Sequence, residues 1–191
     1  GKNATCLHYR RNNDPLKSED LLLIDAGGHF EGYNADITRT FPVGKSFSTA
    51  QEKIYRLVLK AQKEAINICK PGLPYAQIHA RACEVLHDGL RSLGILKGDK
   101  LEEIRKYYPH GTGHWLGMDV HDVGLYQVNG EPRRLESGMV FTVEPGLYFQ
   151  EYDAGLYTAE YANIGIRIED DLLITESGCE ILTHGVPKEV E

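Results

Sequence analysis

Two aspartates early in the chain are the first residues whose type and position point to chemistry. Asp25 closes the apolar run LLLI, and Asp36 follows in what the pattern predicts to be the middle of a second strand. Asp disfavours strand interiors, and a buried carboxylate is costly unless it is paired or bound to a metal. Asp25 alone is better explained by a turn, where Asp is common. Together, two neighbouring carboxylates repel each other, and a bound cation relieves that repulsion.

Two glutamates end apolar segments later in the chain. Glu144 ends MVFTVE directly before Pro145, and Glu169 ends GIRIE. The apolar residues before them predict that both carboxylates are buried. Asp170 and Asp171 come next, and we interpret these two as ordinary exposed carboxylates at a strand end.

A segment rich in histidine and glycine, PHGTGHWLGMDVHD, contributes His110, His114 and His121. Its glycines permit tight turns and close backbone approach. The Gly-x-Gly spacing does not match a dinucleotide fingerprint. A zinc-binding helix is also disfavoured, because the glycines oppose a helix and the Glu of His-Glu-x-x-His is missing.

These residues together predict a two-metal hydrolytic site. Oxygen-rich ligands with one imidazole and no thiolate suit Mn²⁺, Co²⁺ or Fe²⁺ better than a structural zinc. Four carboxylates balance the charge of two divalent ions. Paired ions about 3.5–4 Å apart activate a bridging water and polarise a scissile carbonyl, and further histidines stabilise the oxyanion or transfer the proton.

The composition excludes several classes of protein. The chain has 191 residues, 41% hydrophobic and 26% charged, which predicts one folded domain. Its net charge of −7 argues against nucleic-acid binding, and no apolar run is long enough to span a membrane. Four cysteines without a Cys-x-x-Cys argue against a disulfide framework or thiolate zinc site and fit a cytoplasmic location.

The elements that must position these residues follow from the hydrophobic pattern. Strands at 20–26 and 33–41 are predicted to form a hairpin across the glycine-rich turn 27–32, the first being covered on both faces. Ser48 and Gln51 predict a capping box at the start of a helix. The remaining predictions are helices at 49–69, 75–93 and 97–106, strands at 139–144, 165–169, 172–175 and 179–183, and an irregular loop at 155–163 at the mouth of a site. This order is typical of an α+β fold.

The ordered motifs IDAG…ADITRTFPVG, HGTGHWLGMDVHDVG, TVEPGLYF and GIRIEDD resemble the M24 metallopeptidases of the pita-bread fold. The resemblance is greatest to the aminopeptidase P branch, with prolidase a near relative, and it extends from about Cys6 to Thr183. It implies a curved antiparallel sheet with helices on its outer face. It also implies that residues 1–191 are a catalytic metallopeptidase domain truncated at its N-terminus, without the family's separate N-terminal domain and the start of the pita-bread fold.

The same resemblance assigns roles to individual residues. The implied metal ligands, with Asp36 and Glu169 bridging two ions, are Asp25, Asp36, His114, Glu144 and Glu169. His121 matches the histidine that contacts the scissile carbonyl region, and His8 and His110 match histidines near the substrate. Arg167 matches an arginine behind the ligands that contributes to substrate binding. Glu144 is the implied proton shuttle, so the implied catalytic residues are His121, Glu144 and His8.

The implied reaction is hydrolysis of the bond between an N-terminal residue and a following proline, usually with Mn²⁺; Co²⁺, Fe²⁺ and Zn²⁺ are alternatives. A homo-oligomer of the full-length protein is also expected. Three alternatives stay open: a prolidase, a non-catalytic pita-bread module that binds peptides or proteins, and a metal-free hydrolase of the creatinase type. The complete ligand set disfavours the last two. The HWLG string and the short path from Glu144 to Glu169 favour an aminopeptidase over a prolidase.

Overall fold

The computed structural model describes residues 1–151 and 155–190. It confirms the α+β class, with two long helices between an N-terminal hairpin and a strand-rich C-terminal half. Within the described residues, no helix is both long enough and apolar enough to cross a membrane.

Two helices form the centre of the fold. Helix α1 spans Thr49–Asn67 and helix α2 spans Ala76–Ser92, close to their predicted bounds. The predicted capping box is confirmed, because the Ser48 hydroxyl accepts from the Gln51 amide at 3.3 Å and the Gln51 side chain accepts from the Ser48 amide at 2.8 Å. The third predicted helix is only a 3₁₀ turn over Leu101–Lys106.

The described part of the chain contains eleven strands, and every paired strand runs antiparallel. They are β1 Leu21–Ala26, β2 His29–Phe30, β3 Tyr33–Asn34, β4 Ile37–Pro42, β5 Gln127–Val128, β6 Glu131–Pro132, β7 Val140–Val143, β8 Gly146–Phe149, β9 Ile164–Arg167, β10 Asp170–Ile174 and β11 Cys179–Ile181. They form four two-stranded ladders, β1–β4, β2–β3, β5–β6 and β8–β9, and one three-stranded sheet in the order β11–β10–β7.

The predicted hairpin is present, but its second strand is interrupted. Strand β1 pairs with β4, and the short strands β2 and β3 form the tip. At the tip, Glu31 and Gly32 have φ values of 48° and 90°, the two successive positive values of a type I′ turn. Between β3 and β4, Asp36 belongs to neither strand. The prediction that Asp36 lies in the middle of a strand is therefore wrong.

The prediction that β1 is covered on both faces is also wrong. Only Leu21 is buried in this strand, and Ile24 is 45% exposed. Strand β1 pairs with β4 alone among the described residues, and residues of β1 line a cavity of about 980 Å³ together with the N-terminal segment. The apolar run thus faces a cavity instead of a packed layer.

The hydrophobic core lies between the two helices and the strands that follow them. Its first part joins α1 and α2 to β8 and β9 through fully buried side chains, including Ile54, Leu86, Leu147 and Ile166. Its second part joins the C-terminal half of α1 to β7 and β10, including Ala65, Trp115, Phe141 and Leu172. Each large apolar side chain buried in this way stabilises the fold by about 1.5–3 kcal/mol.

The C-terminal strands agree with the predicted ones in place, with differences at their ends, and β8 was missed. Pro145 directly precedes β8 and Gly146 begins it, and these residue types usually mark a turn. All four residues of β8 are nevertheless buried, and the strand pairs with β9 along its length. The predicted loop at 155–163 contains a 3₁₀ turn over Ala159–Tyr161, and its tyrosines pack into the core.

Candidate metal centre

Three of the five predicted ligands come together in one cluster. Asp36, His114 and Glu169 each offer one ligand atom, and these atoms all lie within 4.8 Å of one another. The cluster combines the break before β4, the glycine-rich loop before β7, and the turn between β9 and β10. The fold thus places residues distant in the sequence around a space suited to a cation.

Glu169 is the most deeply buried member, with 1% of its surface exposed. Its amide donates to the carbonyl of Thr38 at 3.0 Å, and its carboxylate accepts from the Thr38 hydroxyl at 2.6 Å. Burial raises the pKa of Glu169 well above its ordinary value, and the neighbouring carboxylates of Glu144 and Asp36 raise it further. A bound cation would remove the cost of that charge.

His114 is oriented by hydrogen bonds on both sides. Its Nδ1 lies 3.0 Å from the carbonyl of Trp115, so Nδ1 donates and Nε2 presents its lone pair to the cluster. Nε2 lies 3.4 Å from Asp36 Oδ2. The backbone of His114 pairs with Thr142 of β7. This approach requires Gly113, because a Cβ there would meet the Thr142 carbonyl oxygen at 1.8 Å.

Asp25 lies outside the cluster of three. Its Oδ2 is 2.6 Å from Arg167 Nη2, and its side chain is 40% exposed. Burial raises the pKa of Asp25 overall, while Arg167 opposes that shift and Asp36 adds to it. Asp25 and Asp36 therefore influence each other's charge, as predicted for neighbouring carboxylates, but Arg167 holds Asp25 directly.

Glu144 borders the cluster on its other side. Its Oε1 lies 3.7 Å from His114 Nε2, and its amide donates to the carbonyl of Thr112 at 2.7 Å. Burial raises the pKa of Glu144 to about 7, although Arg167 and His114 act in the opposite direction. A carboxyl group with this pKa exchanges a proton near neutral pH.

Arg167 connects the two outer carboxylates. It is 3% exposed and, besides Asp25, its Nε lies 3.8 Å from Glu144 Oε2. Its Nη1 donates to the Tyr148 hydroxyl at 3.1 Å and its Nε to the Thr38 hydroxyl at 3.2 Å. The guanidinium therefore lies beside both outer carboxylates.

The three further histidines lie around this arrangement at different depths. His110 Nε2 is 2.8 Å from the Tyr148 hydroxyl, and burial lowers the pKa of His110 to about 4, so the ring is neutral at pH 7. The His121 ring lies 4.3 Å from the His114 ring between centroids. His8 is exposed and lines the same cavity as Asp25 and Arg167.

Two aspartates were wrongly predicted to be exposed. Asp170 and Asp171 are 0% and 2% exposed, because β10 is the central strand of the sheet β11–β10–β7. The apolar run Leu172–Ile174 that follows them is the signal that could have indicated burial, as the preceding runs did for Glu144 and Glu169.

Asp170 forms a buried polar network beneath the cluster. Its carboxylate accepts hydrogen bonds at 2.5–2.7 Å from Arg39, Gln62, Thr183 and Lys188. Burial alone would raise the pKa of Asp170, but the hydrogen bonds from Lys188, Thr183 and Arg39 lower it overall. Arg39 also donates to the backbone carbonyl of Glu169. The network therefore supports the chain at Glu169, a role that the sequence patterns did not indicate.

The donor set fits a hard or borderline divalent cation. Two carboxylates and an imidazole offer oxygen and nitrogen atoms without a thiolate, which is the chemistry preferred by ions such as Mn²⁺, Co²⁺ and Fe²⁺. Burial and neighbouring carboxylates raise the pKa values of Glu144 and Glu169, and a bound cation would favour the charged form of both. The residues present therefore fit a metal-dependent hydrolytic site.

Comparison with known proteins identifies the family of the chain. The model of metallopeptidase family M24 matches residues 1–176. An Xaa-Pro aminopeptidase of Haemophilus influenzae is 52% identical, over all of this chain and 45% of that protein. An Xaa-Pro aminopeptidase of Escherichia coli is 46% identical, over all of this chain and 44% of that protein.

Solved structures give the same result for the fold. The aminopeptidase PepP of Pseudomonas aeruginosa matches with a TM-score of 0.95 and 48% identity, over 99% of this chain and 44% of that one. A variant of Escherichia coli aminopeptidase P matches with a TM-score of 0.92 and 45% identity, over 99% of this chain and 43% of that one. The chain thus spans less than half the length of these relatives, and its fold is the pita-bread fold of aminopeptidase P. By sequence and by structure, the chain belongs to metallopeptidase family M24.

Proposed function

We propose that the protein containing this chain is an Xaa-Pro aminopeptidase, which hydrolyses the bond between an N-terminal residue and a following proline. The observation that carries this proposal is the cluster of Asp36, His114 and Glu169 in a chain 46–52% identical to Xaa-Pro aminopeptidases. Residues 1–191 are the catalytic domain in this proposal. The partner is a peptide with proline in second position.

The proposed metal site holds two divalent ions, most readily Mn²⁺, with Co²⁺, Fe²⁺ and Zn²⁺ as competitors. Its five ligands are those of the sequence prediction, with Asp25 and Glu144 joining the cluster of three. In support, Glu144 lies 3.7 Å from His114, and four carboxylates balance two divalent charges. When bound, the ions supply a hydroxide nucleophile at neutral pH and polarise the scissile carbonyl.

The other residues hold protons and orient the substrate. In this proposal Glu144 takes a proton from the attacking water and delivers it to the leaving proline nitrogen. His121 donates a hydrogen bond to the carbonyl oxygen as charge develops there. His8 and His110 line the substrate side of the site, and Arg167 holds Asp25 and Glu144 while contributing to substrate binding.

The proposal extends to the setting of the enzyme. A cytoplasmic location is supported by the four cysteines, which are all free. Homo-oligomerisation of the full-length protein is part of the proposal. A net charge of −7 supports the view that neither nucleic acid nor a membrane surface is a partner.

The test compares an Xaa-Pro dipeptide with an Xaa-Pro-Yaa tripeptide, using the full-length protein with and without Mn²⁺. We expect cleavage of the tripeptide that depends on added metal. Cleavage of the dipeptide alone would assign the protein to the prolidases instead. Cleavage of neither substrate, under conditions in which the protein binds metal, would make it a non-catalytic member of the family.

A further inference from the structure

The break in the hairpin at Asp36 is bridged by a side chain from a distant strand. Asp36 belongs to neither β3 nor β4, so its amide has no place in a strand ladder. It donates instead to Oδ2 of Asp171 at 3.1 Å, in a buried setting. The carboxylate of Asp171 thus replaces the backbone carbonyl that a continuous strand would supply.

Asp171 is itself held firmly. It lies in β10 opposite Thr142 of β7. Its amide donates to the Thr183 hydroxyl at 3.2 Å, and its carbonyl accepts from the Leu182 amide at 2.8 Å. Because the backbone is fixed from both sides, the side chain presents its acceptor at a fixed point beside the cluster.

The second carboxylate oxygen of Asp171 gives no structural benefit. Its Oδ1 is buried and has no hydrogen-bond partner within the described residues. A buried acceptor without a partner costs free energy, and an apolar side chain of the same shape avoids that cost. The hydrogen bond to the Asp36 amide accounts for one oxygen of Asp171 only, and an unpartnered buried oxygen in a native structure calls for another explanation.

We propose that Asp171 is a positioning residue for the metal site, whose carboxylate fixes the backbone of Asp36 so that the Asp36 side chain points at His114 and Glu169. This inference rests on the proposed function, in which Asp36 is a metal ligand. Asp171 acts through the Asp36 amide and is not itself a ligand.

Several hydrogen bonds join the hairpin to the chain around Glu169, and two of these links lie one on each side of Ile37. At Asp36 the link is the Asp171 carboxylate, and at Thr38 it is the pair of hydrogen bonds to Glu169. Without the first link the hairpin is still attached at Thr38, but the Asp36 carboxylate loses its fixed direction. Loss of the Asp171 link therefore leaves the protein folded but disturbs the position of the Asp36 carboxylate as a metal ligand.

The experiment measures Co²⁺ binding to the metal-stripped full-length protein by calorimetry and by the visible spectrum of the bound ion. Asp171→Leu keeps the shape but removes the acceptor, and Asp171→Asn keeps an acceptor oxygen. We expect Asp171→Leu to weaken Co²⁺ binding by about ten- to a hundredfold and to change the spectrum, while the metal-free protein stays folded with a modestly lower unfolding midpoint, because the Asp36 amide loses its acceptor. Asp171→Asn should bind within about threefold of the parent.

The matched control is Asn34→Ala, which removes another side-chain tether of the same hairpin, from Asn34 Nδ2 to the carbonyl of Met118. We expect it to leave Co²⁺ affinity within about twofold of the parent. Parent-like Co²⁺ binding by Asp171→Leu would overturn the inference. So would an Asp171→Asn protein that loses as much affinity as Asp171→Leu, since that result would make Asp171 a ligand or a required charge.

If Asp171→Leu does not fold, Asp171→Ala takes its place with the same expected loss, and a folded Asp171→Ala that binds like the parent refutes the proposal. Failure of the proposed function is distinguishable from failure of this inference. If the parent protein binds Co²⁺ but does not cleave Xaa-Pro peptides, the proposed aminopeptidase function is refuted and the proposed role of Asp171 is not. If the parent protein binds no Co²⁺, both the proposed function and the proposed role of Asp171 are refuted.

Discussion

The carboxylates on the two sides of the metal cluster, the hairpin side and the side of β7, β9 and β10, differ in how deeply they are buried. On the hairpin side, Ile24 is 45% exposed and the Asp25 side chain 40% exposed. On the side of β7, β9 and β10, Glu169 is 1% exposed and Leu172 is fully buried. One side is a two-stranded arm in which β1 is half open and the middle of β4 is buried, and the other side is part of the hydrophobic core.

The two sides therefore position their ligands in different ways, one by packing and the other by hydrogen bonds. The buried side fixes its carboxylates by packing, at the cost of raised pKa values for Glu144 and Glu169. The hairpin side is positioned by directional bonds, which include those from Asn34 to Met118, from Asp36 to Asp171, from Thr38 to Glu169 and from Arg39 to Asp170. Substitutions in the core should therefore act mainly on stability, whereas those in the hairpin should act mainly on metal binding.

The largest expected effect is that of Asp36→Ala. Asp36 belongs to the hairpin and also to the cluster of three, so its loss should abolish metal uptake and lower kcat/KM by at least about a thousandfold, roughly 4 kcal/mol of transition-state stabilisation. Metal content after dialysis and initial rates on a tripeptide measure both. Two ions per chain persisting in Asp36→Ala would contradict the bridging role.

Asp170→Ala tests the core side through stability. The substitution leaves Arg39 and Lys188 buried without their shared carboxylate, and the loss of one partner from a buried ion pair costs about 3–5 kcal/mol. Urea unfolding of the metal-free protein measures this loss. The control is Asp25→Ala on the hairpin side, for which we expect about 1 kcal/mol or less, because the side chain is 40% exposed. Equal losses in the two variants would refute the division between the two sides.

The sequence predicted those elements whose signals are local. Helices α1 and α2 follow from periodicity and from the cap at Ser48, which depends on residues only three apart. Strand burial is not local: β1 is apolar yet half open, and Asp170 is charged yet fully buried. In both cases the neighbouring strands determine how deeply the strand is buried. The strand's own sequence does not indicate which neighbours it will have.

The predictions about the site were also partly right and partly wrong. The sequence predicted Asp36 as a candidate ligand because it was placed inside a strand. Asp36 is indeed in the cluster, but it lies in a break between two strands. The order of the four motifs identified the family, which the comparisons confirm. Asp171 was interpreted as an exposed carboxylate, because its hydrogen bond reaches a residue 135 positions away and no local pattern records that contact.

The raised pKa of Glu144 predicts a pH dependence on the buried side. Burial raises this pKa from 4.5 to about 7, so between those values the metal-free folded state holds a proton that the unfolded state has released. The contribution of Glu144 to the free energy of unfolding therefore falls as pH rises from 4.5 to 7, and above pH 7 the full cost of the buried charge is present.

Metal binding must displace that proton, so affinity should weaken by at least about tenfold for each pH unit below 7, and the raised pKa of Glu169 adds to the slope. Mn²⁺ titrations between pH 5.5 and 8 measure the slope. Asp25→Asn, on the exposed side, should retain most of the slope, whereas Glu144→Gln should reduce it by one proton. An unchanged slope in Glu144→Gln would show that another group carries the proton.

The smallest expected effect is that of Asn34→Ala at the tip of the hairpin. Asn34 Nδ2 donates to the carbonyl of Met118 at 2.6 Å in an exposed position, and one hydrogen bond of this kind contributes about 0.5–1.5 kcal/mol. Hydrogen exchange should show faster opening confined to β2 and β3, because the tip opens without disturbing the links at Asp36 and Thr38. Faster exchange in β7 or β10 as well would mean that the arm and the core open together, and the hairpin would then be part of one cooperative unit with the buried side.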